Sequence, residues 1–375
     1  MKVITRQLTK EILLTTGFVL LALVGLFTFF ELMSQFGRIG TRYTIWQALV
    51  ITFMSVPMLI YEIMPIASLL AAVFVMSQWA ARSEFTILRV AGLSPMRLAG
   101  MLMVPGIILV LLTYGFGEFV APPADQFSRE YKAQLLKRKL SARGYSSGTW
   151  VREVINQTDG HQQVRYINIS NYRPGGDAYN WRVFDFDDLS LSRVITAPSA
   201  RFVENQGWLL KKATSTKLPM ISDLQQEPII ESVKVTPPVS MMLPTNIGPN
   251  IFAIMALKPE DMSMSGLYQY ITHLKQSKQE TERYDIALWN KAFYPIAILV
   301  MIALSMPFAY MNTRSGGMSI KIFSGVMLGL GFYTINNLFS YVGMLNTWPP
   351  LVVALLPTMI MLLIAMAAMW FVEKR

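Results

Sequence analysis

The chain has 375 residues, 53% of them hydrophobic and only 15% charged, against about 25% charged in ordinary soluble domains, so composition alone points to a membrane protein. Cysteine is absent and the histidines are two, His161 and His273, which excludes disulfide frameworks and thiolate metal sites and argues against a histidine metal centre. The net charge of +10 is read as basic cytoplasmic loops plus a mildly basic outer domain, not as a nucleic-acid surface.

Taken in chain order, the first apolar run is Ile12 to Met33, preceded by Lys2, Arg6 and Lys10. It is too long for a signal peptide and has no small-residue cleavage site, so it predicts an uncleaved anchor. The next run, Trp46 to Ala80, exceeds the roughly 20 residues that cross a ~30 Å hydrocarbon core. Pro57 and Pro65 are expected to break it into an outer-leaflet lead-in and a crossing from about Pro57 to Ala80, kinked near Pro65. Residues 83–92 then read as a short helix lying crosswise at the membrane face. Ser83 serves as N-cap, Glu84 suits the positive helix end, and Gly92 stops it, while Ser94-Pro95 opens the next helix. Two uses fit: an amphipathic helix resting on headgroups, or a lever seated in a groove of a soluble motor subunit. Ala99 to Val120 is the third crossing.

From Ala121 to Lys291 the pattern changes to period two, as in Val164 to Ile169 and Trp181 to Phe186. Asn205-Gln206-Gly207 predicts a hairpin between Ala200–Glu204 and Trp208–Thr214, and Pro237-Pro238 ends a later strand. Short strands at this spacing predict an all-β sandwich or jelly roll. Its helical edges are Asp125 to Lys139 and Ser265 to Lys291. Phe293 to Tyr310, Ile322 to Val342 and Leu351 to Val372 complete six crossings. The predicted fold class is therefore a membrane α-helical protein, with segments 1–124 and 291–375 flanking an inserted all-β, jelly-roll-like domain at 125–290. With the N-terminus inside, Lys2, Arg6, Lys10, Arg82, Arg89, Arg97, Arg314, Lys321, Lys374 and Arg375 are cytoplasmic, and the short outer loops hold only Arg38 and Arg42. That asymmetry places both termini in the cytoplasm and the insert outside.

No phosphate-binding P-loop, Ser-His-acid set or H-E-x-x-H motif occurs. The chain is read as non-catalytic and without a cofactor of its own. Arg38, Arg42, Arg129 and Lys132 fall near the outer boundary, where lipid phosphates would sit; plain snorkelling explains them equally well. Gly325 and Gly329 form a small-xxx-small pair that lets helices approach closely. Of the intramembrane acids Glu31, Glu62 and Glu118, Glu62 is the anomalous one.

Taken together, the order and spacing of several runs resemble the LptF/LptG family of lipopolysaccharide export permeases. The runs are Pro65-Ile66-Ala67-Ser68-Leu69-Leu70, Arg82-Ser83-Glu84 to Ala91-Gly92-Leu93-Ser94, and Gly117-Glu118-Phe119-Val120-Ala121-Pro122 with Arg129-Glu130-Tyr131-Lys132-Ala133-Gln134. Arg314-Ser315-Gly316, Gly325 to Tyr333 and Trp348-Pro349-Pro350 extend the likeness to essentially the whole chain, and details around Arg129 and the last spans are nearer the LptG branch. The resemblance implies the permease subunit of an ABC transporter in the bacterial inner membrane, extracting lipopolysaccharide from the outer leaflet and passing it to a periplasmic bridge. It implies an LptF-like paralogue as heterodimer partner, an LptB-like ATPase dimer that binds ATP and Mg, and an LptC-like single-span protein. It places Glu84, flanked by Arg82, Phe85 and Arg89, at the ATPase contact, and matches Arg129 and Lys132 to basic positions after span 3. Spans 1 and 5 become the lateral gate, with Phe29 and Phe30 on one and Gly325, Gly329 and Phe332 on the other. The family often carries lysines at the outer end of span 1; here none occurs between Lys10 and Lys132, and Arg38 is the candidate substitute. A permease or mechanotransmission subunit for another envelope lipid or lipoprotein, and a periplasmic scaffold, are the alternatives. The charges do not show the four-span layout of the mechanotransmission class, and a scaffold would not need the 83–92 lever.

Overall fold

Apolar runs of this length satisfy their backbone in hydrocarbon only as helices or closed barrels, and helices are what form. The computed structural model describes residues 2–37, 39–40, 43–135, 148–156, 162–173, 177–187, 190–204, 206–218, 233–245, 247–249, 251–252, 258–310, 318–346 and 348–373. Among them are six helices long and apolar enough to cross a membrane: Lys2–Phe36, Ile45–Ala81, Pro95–Lys132, Glu282–Tyr310, Met318–Leu345 and Pro350–Phe371. An antiparallel β-sheet is inserted between the third and fourth. Packing divides the chain into a membrane unit (Met1–Lys132, Ser263–Leu267, Glu282–Arg375) and a β unit (Ala133–Met262, Tyr268–Thr281).

In the membrane unit, α1 is Lys2–Phe36 and α2 is Ile45–Ala81. The expected break in the second run does not occur: α2 passes through Pro57 and Pro65 without interruption. At 1.5 Å per residue its 37 residues reach about 56 Å, well beyond a ~30 Å core. Each proline removes one backbone hydrogen bond, and neighbouring helices make that loss tolerable. The most apolar window of α2 is 67% buried, against 11% for α1, so α2 is the hub and α1 lies at the periphery. Its start is a capping box, in which Thr44 Oγ1 accepts from the Gln47 amide and Gln47 Oε1 accepts from the Thr44 amide.

A short helix α3 (Glu84–Val90) leads to span 3, which is α4 (Pro95–Gly115), a π-helical turn (Phe116–Val120) and α5 (Ala121–Leu135). Gly117 in that turn is needed for a close approach: a Cβ there would lie 2.5 Å from the Tyr61 ring. The next residue, Glu118, accepts from the Met264 amide at 2.7 Å and from the Ser265 amide at 3.1 Å. These begin α6 (Met264–Gln276), so a carboxylate sits at a helix N-terminus, where it is favoured. Span 4 comprises α7 (Glu282–Phe293), a 3-10 turn at Tyr294–Ile296, α8 (Ala297–Leu304) and α9 (Met306–Tyr310); spans 5 and 6 are α10 (Met318–Asn346) and α11 (Pro350–Glu373).

The β unit has seven described strands: β1 (Thr149–Asn156), β2 (Gln162–Arg173), β3 (Asp177–Asp187), β4 (Ser190–Val203), β5 (Gly207–Lys217), β6 (Lys234–Val235) and β7 (Val239–Leu243). They pair antiparallel in the order β1 to β6, with β7 also on β5. The expected hairpin closes between Val203 and Gly207, whose φ of +100° only glycine adopts cheaply. Pro198 lies in central strand β4, where it has no ladder proton. The residues opposite it, Asn180 on β3 and Lys212 on β5, both take left-handed φ, 56° and 52°. Such local distortion bends a sheet. The curl brings the two ends of the sheet together: Thr245, just past β7, donates to Glu153 on β1 at 2.8 Å.

The inner face of this curl carries Val151, Ile167, Trp181, Val183, Ile195, Trp208 and Phe252. In the same strand phase, at one end, lie Glu153, Arg165, Asp185 and Arg193. Arg165 Nε donates to Asp185 Oδ1 at 2.6 Å and Arg193 Nη2 to Asp185 Oδ2 at 2.6 Å. Arg165 Nη1 also reaches the Pro244 carbonyl at 3.0 Å. Asp185 is 0% exposed and Arg165 4%. Removing one partner of a buried pair costs about 3–5 kcal/mol, because the other is left unpaired. Asp185→Ala should therefore raise local opening of β3 and β4 more than about a hundredfold, read as accelerated amide exchange in those strands; unchanged exchange would show that the cluster adds nothing to the sheet.

Candidate functional site

The best-defined site candidate is α3 and its seat. Its start differs from the expectation. Ser83 takes φ +60°, a left-handed conformation, instead of the extended one of an N-cap. The reason is the lack of room: the Arg82 amide still bonds to the Gln78 carbonyl and the Ser83 amide to the Ala80 carbonyl, so α2 ends where α3 must begin. The Ser83 carbonyl nevertheless accepts from the Ile87 amide at 3.2 Å. The end is as expected. Gly92 has φ +89°, and the Leu93 amide returns to the Leu88 carbonyl at 3.0 Å, the long bond of a Schellman stop. Ser94 Oγ then accepts from the Arg97 amide, and Pro95 takes the first helical position.

This short helix has two faces. Phe85 and Leu93 are buried among Leu8, Ile12, Trp79, Leu98 and Met306. The Phe85 ring centre lies 5.6 Å from Trp79 and 6.5 Å from Tyr310. Opposite, Ile87 is 67% exposed and Val90 86%, and Met96 at the start of α4 is 82% exposed. Glu84 Oε1 stands 3.8 Å from Arg82 Nη1, in a pair open to solvent. Exposed pairs contribute at most about 1 kcal/mol, so Glu84 is available to a better cation. The backbone of Arg89 lies in α3; its side chain is outside the described residues, as are Arg38 and Arg42 entirely.

Beyond the π-helical turn, Arg129 Nε donates to Asp125 Oδ2 at 2.6 Å, and the Asp125 side chain is only 9% exposed. Asp125 was not among the expected site residues. Its i,i+4 spacing to Arg129 on a helix was the available signal. Lys132 is half-buried in the last turn of α5.

Phe29 and Phe30 are 55% and 59% exposed on α1 and meet edge to face at 6.0 Å. The three span-5 residues named for a gate, Gly325, Gly329 and Phe332, all lie against other helices of this chain. A Cβ on Gly325 would meet Leu70 at 3.3 Å, and one on Gly329 would meet Ile66 at 3.0 Å. Both glycines therefore pack span 5 onto α2 of the same chain. Phe332 is 1% exposed and lies against Tyr294. The small-residue pattern marks close helix packing but does not say with which helix. The face of α10 that its own chain leaves open carries Phe323, Met327 and Leu330. Glu62 is half-buried, and its carbonyl accepts from the Tyr294 hydroxyl. Among the described residues no cluster of three or more metal-ligating side chains occurs.

Comparison with known proteins bears on this geometry. The profile of the family described as lipopolysaccharide export system permease LptF/LptG matches residues 6–371. The chain is 28% identical to lipopolysaccharide export system permease protein LptG of Haemophilus influenzae over 373 residues, covering 99% of this chain and 98% of that protein. It is 29% identical to the Escherichia coli K12 protein of the same name over 382 residues, covering 100% and 98%.

Proposed function

The chain belongs to the LptF/LptG family of lipopolysaccharide export permeases, and from that premise we propose that it is the transmembrane half of an ABC transporter that moves lipopolysaccharide out of the inner membrane. It is a multi-pass inner-membrane protein. In our reading both termini and α3 are cytoplasmic and the β unit is periplasmic, which the ten basic residues on the inner side and the two in short outer loops support. ATP and Mg are bound by a separate LptB-like ATPase dimer. An LptF-like paralogue completes the permease, and an LptC-like single-span protein stands beside the gate.

The observation that carries this reading is the two-faced build of α3. One face is locked into the bundle through Phe85 and Leu93; the other offers Glu84, Ile87 and Val90 to a partner. Motion of a motor groove around that outer face is handed to the spans as a displacement of Phe85. Lipopolysaccharide is an anionic amphiphile with several acyl chains. It enters sideways, between span 1 and the paralogue's span 5, with its tails in hydrocarbon and its phosphates at the headgroup level. There Arg129, held in place by Asp125, and Lys132 bind phosphate. A hydrogen bond to a charged group contributes about 1.5–3 kcal/mol. The double variant Arg129→Ala/Lys132→Ala should therefore retain about tenfold less lipopolysaccharide through purification, measured by mass spectrometry of the bound lipid. Wild-type lipid occupancy would reduce both residues to interfacial anchors.

A further inference from the structure

The fully buried residues of span 1 lie towards its two ends. Near its N-terminal end, Leu8 and Ile12, both 0% exposed, enter the core that holds Trp79 and Phe85. At its other end the Tyr43 hydroxyl donates to Gln35 Oε1 at 3.1 Å, and Gln35 Nε2 donates to Glu31 at 2.6 Å. Between Thr16 and Gln35 no residue of α1 is buried within the chain.

The first of these ends holds a polar contact between distant parts of the sequence. Trp79 Nε1 donates to Glu11 Oε2 at 2.6 Å, and Gln7 Nε2 donates to the other Glu11 oxygen at 3.1 Å. Trp79 is 2% exposed, and the Phe85 ring is among its neighbours in the core. A short hydrogen bond to a carboxylate is among the stronger ones available. It is also directional, so a rotation of the indole carries the carboxylate with it. Phe85, Trp79 and Leu8 are enclosed in one core, where packed side chains transmit displacement, and the half-buried Glu11 joins that core through its bond to Trp79.

We infer that Glu11 and Trp79 form the joint through which α3 moves span 1: displacement of Phe85 turns the Trp79 indole, which carries Glu11 and the base of span 1. Through its middle α1 keeps half-buried contacts, Leu20 among them, but no fully buried residue, so a tilt at the base is carried along the helix. A 5° tilt displaces a point on the far side of a ~30 Å core by about 2–3 Å. Glu11 and Trp79 are positioning residues, acting through α1. The inference rests on the reading of α3 as the lever, and it adds to that reading which span the lever moves and by which contact.

The test uses the complete transporter in lipid vesicles, with nitroxide labels at Leu26→Cys on span 1 and Ile107→Cys on span 3, both sites exposed in a chain without natural cysteine. The readouts are the label distance with and without ATP, and the lipid released per ATP hydrolysed. Trp79→Phe keeps the ring against Phe85 and removes the indole donor. It should abolish the ATP-dependent distance change and lower release per ATP about tenfold, with the ATPase still bound and turning over. Glu11→Ala should match it, and the two together should be no worse than either alone, as expected for one shared contact. Glu11→Gln keeps an acceptor oxygen and should stay within about twofold of the parent, which separates loss of the joint from loss of folding. An unchanged distance shift and release ratio in Trp79→Phe, or additive losses in the double variant, would overturn the joint. If Glu84→Arg uncouples transport while Trp79→Phe does not, the lever stands and the joint fails. If Glu84→Arg itself is silent, the lever reading fails first.

Discussion

Glu84→Arg should lower ATP-driven lipid release by at least about thirtyfold while the six spans fold normally. The side chain stands at the first turn of α3, partly exposed, and among the described residues it is paired with the solvent-open Arg82 at 3.8 Å. That pair contributes at most about 1 kcal/mol, so its loss leaves the bundle intact. A cation of the motor that meets Glu84 loses its partner and faces a like charge instead. Truncating one side of a desolvated interfacial charge pair costs about 2–5 kcal/mol, which is roughly thirtyfold or more. The measurement is ATPase co-purification together with release per ATP. A variant that holds the ATPase and transports at the parent rate would remove α3 from the coupling path.

The second large effect concerns the gate. In the proposed heterodimer, the exposed face of span 1 that carries Phe29 and Phe30 meets the paralogue's span 5, and the open face of span 5 here meets the paralogue's span 1. Phe29→Cys, paired with a cysteine on the partner's span 5, should form a disulfide on oxidation. Leu330→Cys with one on the partner's span 1 should do the same. Either lock should stop lipid release nearly completely, and reduction should restore it. Because this chain has no natural cysteine, its own end of any observed crosslink is assignable. Locked transporters that release lipid at the normal rate would place the entry elsewhere. Gly325 and Gly329 serve as the contrast: they face α2, so a partner cysteine should not reach a cysteine placed there.

What the sequence made legible is local chemistry. Gly92, Ser94-Pro95 and Gly207 each ask for one backbone conformation, and each has it. Period two placed Trp181, Val183 and Asp185 on one face of a strand. That same phase was enough to flag Glu153, Arg165, Asp185 and Arg193 as inward charges, a signal left unused. The break expected at Pro57 was misread because a proline's local cost says nothing of the bundle that encloses α2. Ser83 was misread because the capping rule assumes a free approach to the helix, and here α2 occupies it. Asp125 beside Arg129 could have been found from spacing alone. Glu11 and Trp79 are 68 residues apart and no periodicity links them, so their contact exists only at the level of packing. The same holds for the partner of Gly325 and Gly329: sequence shows that a helix comes close, and only the fold shows that it is α2.

The central claim is that this chain is the membrane half of a motor-driven lipopolysaccharide extractor. Its most direct test is to reconstitute the chain with its co-purifying partners in vesicles containing lipopolysaccharide and glycerophospholipid, then follow both lipids to a soluble acceptor after ATP is added. The expected result is ATP-dependent departure of lipopolysaccharide with glycerophospholipid retained. ATP hydrolysis with no lipopolysaccharide leaving, or with both lipids leaving alike, would contradict it.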